Sequence, residues 1–145
     1  MVDALRRARS MLRPGGFVVD VHPTTEAPHL EVGSGVYAGD LHSEDARRRH
    51  AAADAAVATV LDLAIFTVEG TQDFSFRRYA DSLSELQEYV AQKWTDAHLD
   101  HATVHRTVEI LRAERIATLW LREQARVRKL QPIIHYSRNP NAKSE

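Results

Sequence analysis

The sequence has no cysteine. That removes a disulfide framework, a thiolate metal site and a cysteine nucleophile, and it leaves the redox compartment open. Charge of one sign is also missing: 19 Lys and Arg stand against 20 Asp and Glu, a formal net charge of -1. No bulk field draws such a chain to nucleic acid, so a role there needs a local basic patch. No apolar run approaches the roughly 20 residues of a membrane span, and Met1-Val2-Asp3-Ala4-Leu5-Arg6-Arg7 lacks the long apolar stretch of a secretory leader. Internal repeats and low-complexity linkers are absent as well. What is there is an ordinary globular balance, 43% hydrophobic and 27% charged over 145 residues, which disfavours disorder and rods. The expectation is a soluble, cytoplasmic protein with one domain over residues 1–136 and a short flexible polar tail over 137–145.

Hydrophobic spacing sets the elements. Leu5, Ala8, Met11 and Leu12 recur with helical period from Asp3, which is placed to cap, and Arg6, Arg7, Arg9 and Arg13 take the other side. Pro14-Gly15-Gly16 stops that helix, and Phe17-Val18-Val19-Asp20-Val21-His22 reads as a buried strand. Leu30 to Val32 and Val36 to Leu41 flank Gly33-Ser34-Gly35 as a hairpin. Ser43, followed by Glu44 and Asp45, opens an alanine-rich helix that ends near Leu63. Ile65 to Tyr79 alternates in two registers on either side of Gly70, which predicts a long strand with a glycine bulge or bend. Asp81 or Ser82 caps a helix with the stripe Leu83, Leu86, Tyr89, Val90 and Trp94, and a further helix spans about Asp100 to Arg115. Residues 116–130 fit a strand on Leu119, Leu121, Ala125 and Val127, and also a continued helix; the strand is the reading adopted.

The run Ala4-Leu5-Arg6-Arg7-Ala8-Arg9-Ser10-Met11-Leu12-Arg13-Pro14-Gly15-Gly16-Phe17-Val18-Val19-Asp20-Val21 resembles the stretch leading into the fifth strand of class I S-adenosylmethionine-dependent methyltransferases. In that family a helix, a Leu-Arg-Pro-Gly-Gly turn and an apolar strand follow in this order. Phe74-Ser75-Phe76-Arg77-Arg78-Tyr79-Ala80-Asp81-Ser82, with Glu85-Leu86 and Trp94 after it, is similar to the late strand and helix of some members. The likeness covers residues 3 to 130 and corresponds to the C-terminal half of that domain. It implies an α/β fold built on a partial Rossmann-like sheet of three main strands in mixed directions, near 17–22, 65–79 and 117–130, with the last inserted between the other two and the hairpin added. The cofactor-binding half, with its glycine-rich turn and ribose-binding acid, has no counterpart among these residues. Gly33-Ser34-Gly35 lacks the strand–turn–helix context of a nucleotide loop. The resemblance therefore implies a methyltransferase-related protein without autonomous catalysis, a non-catalytic subunit or a fragment of a longer or split enzyme, with no cofactor expected on the isolated chain. The alternatives are a stand-alone small-ligand-binding module, and an enzyme active only when a partner chain supplies the S-adenosylmethionine-binding half.

No residues form a catalytic motif. His22 follows a strand, where open α/β sheets bind ligands, and Tyr37 and Trp94 offer apolar area with a polar handle; these three are the candidates for a ligand pocket. His98, His101 and His105 stand three and four apart, a spacing that allows metal ligation. A solvated helix face explains them without a metal, and no metal is expected. Arg47-Arg48-Arg49 and Arg122, Arg126, Arg128 and Lys129 are diluted by Glu44, Asp45, Asp54 and Glu123, so no nucleic-acid partner is expected. An apolar strand at 17–22 with no neighbour on one side predicts a homodimer through the region around residues 3–22.

Overall fold

The computed structural model describes residues 1–94, 96–114 and 118–134; the polar tail over 137–145 and the domain limit at 136 lie outside the described residues. The elements run α1 (Val2–Met11), β1 (Val18–Pro23), β2 (His29–Val32), β3 (Val36–His42), α2 (Glu44–Asp62), β4 (Phe66–Ala80), α3 (Leu83–Lys93), β5 (His98–Leu99), α4 (His101–Glu114) and β6 (Leu119–Pro132). α1 ends where Leu12 turns extended and Gly15 takes φ +79°, so that the Gly16 N–H can donate to the Arg13 carbonyl at 2.9 Å. Asp3 sits in the first turn but makes no capping bond, because Met1 holds the cap position. The other two capping residues act as the sequence predicts: Ser43 Oγ accepts from the Ala46 N–H and Ser82 Oγ from the Glu85 N–H, both at 3.1 Å.

The fold is α/β, with a six-stranded sheet and four helices among the described residues. β6 organises it. Along one side it pairs with β4 over its whole length, from Phe66 opposite Pro132 to Ala80 opposite Leu119. Its other side is shared end to end by β1, on Ala125 to Leu130, and β2, on Leu119 to Arg122. β3 and β5 extend the β2 end. The register of β4 shifts between Val68 and Gly70, so the glycine marks the expected bulge. Residues 119–132 form a strand, and it lies between β1 and β4 as expected of the last strand.

Two expectations need correction. The sheet is not a mixed one of three main strands: every pairing among the described strands is antiparallel, and the hairpin is an integral part of it. β1 is also not buried on both faces, since Val19 and Val21 (both 56% exposed) stand open, as does Phe17 just before it (48%).

The reason lies in how the helices divide. α1 and α2 cover one face at the β1 end, where Leu5, Val57 and Val60 pack with Phe66 and Leu130. α3 and α4 cover the opposite face at the β2 end. There Leu86 and Val90 join Leu30, Val32, Ala38, Leu41, Ala80, Leu119 and Leu121. Antiparallel partners share a face, so Val19, Val21, Val127, Phe74 and Phe76 fall together on the quarter of the sheet that neither helix pair reaches. No helix among the described residues is long and apolar enough to cross a membrane.

Candidate functional site

β1 and β2 meet the same edge of β6 but do not join directly. Residues 24–28 arch between them, held where the Thr24 N–H donates to the Gln124 carbonyl at 2.9 Å. The arch, the first turns of α2 and the end of α3 enclose a cavity of about 310 Å³, within the range of small-molecule sites. Its floor includes Glu123 and Gln124 of β6, and its walls include Trp94, His98, His50 and Pro23.

Two titratable groups on this cavity are shifted chiefly by burial. Burial pushes the Glu123 carboxyl above its ordinary value, with the charge of Arg78 opposing it; Arg78 itself stacks over the Tyr89 ring at 4.3 Å. No described residue donates a hydrogen bond to Glu123. Burial lowers His50 more than its backbone hydrogen bond raises it, which favours the neutral imidazole. His50 Nδ1 lies 3.0 Å from the Thr24 carbonyl and so carries the proton, leaving Nε2 as a lone-pair acceptor.

Of the pocket candidates, only Trp94 lines this cavity. His22 lies within β1 rather than beyond it, is buried, and points into a charged cluster beneath α2. Its Nε2 is 3.1 Å from Asp54 Oδ1, and its Nδ1 is 3.0 Å from Asp20 Oδ2 without hydrogen-bond alignment. Arg128 bridges both carboxylates. Burial raises the Asp54 carboxyl, but hydrogen bonds from Arg128 and His22 and their charges outweigh it, so its net shift is downward. Its partners tie α2 to β1 and β6.

Tyr37 is exposed on β3 and donates to Asp40 Oδ1 at 2.8 Å, away from the cavity. His98 lines the cavity and packs against His42, 5.6 Å between centroids. His101 and His105 stack together farther along α4, and His105 pairs with Glu109. Among the described residues no group of three or more possible ligands could hold a metal. The basic residues are largely engaged: Arg47 with Glu44, Arg48 with Asp45, Arg126 with Asp73, Lys129 with Glu69. Arg77 and Arg122 converge on the buried Glu31.

No family model, curated protein or solved structure matches this chain.

Sequence reasoning missed Glu123 and His50. Glu123 had a visible signal, since it interrupts the every-second-residue apolar series Leu119, Leu121, Ala125 and Val127 and so sets a carboxyl on an inward face. His50 had none, because its role depends on the arch reaching back to α2.

Proposed function

We propose that this chain is a methyltransferase-related scaffold without catalysis of its own, serving as a non-catalytic subunit or as one part of a longer or split enzyme. The observation that carries the reading is the strand order β1-β6-β4. A last strand lying between the strand after Leu12-Arg13-Pro14-Gly15-Gly16 and a long penultimate strand is the arrangement the resemblance implies. The lack of a glycine-rich strand–turn–helix and of a ribose-binding acid argues against an autonomous cofactor site. The outer edge of β1 has no partner among the described strands, which supports pairing with a part that supplies that site.

Calorimetry with S-adenosylmethionine tests the reading. The isolated chain should show no binding in the micromolar range, which corresponds to about -8 kcal/mol; saturable one-to-one binding at that strength sinks it. The cavity favours a second reading, a stand-alone small-ligand module, and that reading keeps its ligand affinity with no second chain present.

A further inference from the structure

The cavity has an unusual distribution of charge. Five side chains that carry a fixed or titratable charge, apart from the histidines, line it: Glu26, Glu44, Arg47, Arg49 and Glu123. Four of these are exposed to solvent, and Glu123 is the half-buried one. Arg47 is bound to Glu44 through two hydrogen bonds of 3.0 and 2.7 Å, so it brings no free charge to the interior. Arg49 is exposed, where water screens its charge. The lining thus includes a half-buried carboxyl to which no described residue donates a hydrogen bond and which Arg78 opposes in charge, an imidazole that donates from Nδ1, and the indole of Trp94, whose N–H makes no hydrogen bond to a described residue. Two acceptors beside an aromatic wall match a ligand that brings donors and positive charge.

We propose that this cavity binds a small organic ammonium compound, with Glu123 as its counter-charge, His50 Nε2 as a second acceptor and Trp94 as the wall against its apolar part. A volume near 310 Å³ suits a single-ring amine. The inference stands on the cavity alone and survives whatever becomes of the methyltransferase reading.

The test uses the full chain and three probes of one shape: phenethylamine, phenethyl alcohol and phenylacetate, measured by calorimetry at neutral pH. The ammonium compound is expected to bind about tenfold more tightly than the alcohol, and phenylacetate more weakly than both. Glu123→Gln should bring phenethylamine down to the level of the alcohol and leave the alcohol unchanged. Trp94→Leu should weaken the amine and the alcohol by the same factor, and it keeps the proposal open to refutation should the first variant not fold. Preference for phenylacetate, no binding of any probe at millimolar concentration, or amine selectivity that persists in Glu123→Gln overturns the assignment.

Discussion

Glu123 and Asp54 are carboxyls that the fold shifts in opposite directions, and stability should follow each with opposite sign. Asp54 is held below its ordinary value, since its bonds from Arg128 and His22 outweigh burial. It contributes stability above the ordinary carboxylate range, and acid removes that contribution as the pH falls through the lowered folded value. Glu123 is raised by burial, so the unfolded chain releases that proton first. Stability therefore drops as the pH rises from the ordinary carboxylate value through the raised one. Glu123→Gln escapes this loss. Its urea midpoint should exceed that of the parent chain at neutral pH, and the two should converge at about pH 3, below the ordinary glutamate value of about 4.3. A variant less stable than the parent at neutral pH would show that the carboxylate has a stabilising partner.

At the scale of elements, the tightest junction is that of β3 with α4. Gly39 has φ +156°, and a Cβ placed there would stand 2.7 Å from Thr103 Cβ and closer still to its hydroxyl. The absence of a side chain lets α4 lie directly on the hairpin. Gly39→Ala should cost about 1–3 kcal/mol in chemical denaturation, the range of an overpacked core, with strain from the positive φ added. Thr103→Ala in the same chain should recover part of that loss, since it removes two of the three crowding atoms. Full additivity of the two substitutions would mean that α4 does not rest on Gly39. Gly70 plays a different part, for nothing lies within 4 Å of a Cβ there; its site is the bulge that lets β4 follow β6 along its whole length.

Over the whole molecule, the open quarter of the sheet lies beside the edge of β1 that has no partner among the described strands. Phe17, Val19, Val21, Phe74 and Phe76 share that face at 39–56% exposure, each leaving roughly 1 kcal/mol of burial unrealised. The Lys129 ammonium lies over Phe17, 4.6 Å from the ring centroid. An apolar strand with an unpaired backbone edge and an open face is a template for association. The expected state is a homodimer through the region around residues 3–22, with light scattering at micromolar concentration giving twice the chain mass. Val19→Lys with Val21→Lys should return it to a monomer of unchanged circular dichroism, because lysine protects such edges. A wild-type monomer, or a dimer untouched by these substitutions, removes β1 from the interface.

The sequence by itself determined what short-range physics decides. Helical spacing, two serine caps, the Pro14-Gly15-Gly16 stop, the Gly33-Ser34-Gly35 hairpin and the Gly70 bulge are each written within a few residues, so all the elements except the two-residue β5 were legible in order and nearly to their ends. Even the ambiguous segment from 116 onward carried its alternation, and Glu123 broke it visibly. What only the tertiary structure decided depends on residues far apart in the chain. The sharing of one β6 edge by β1 and β2, and the arch between them, follow from which apolar faces find cover. The split of the helices between opposite faces and opposite ends follows from the same competition. That arrangement draws His22 under α2 to Asp54, leaves Tyr37 in solvent, and brings Trp94, His50 and Glu123 around one cavity, because burial and long-range pairing, unlike periodicity, are properties of the assembled chain.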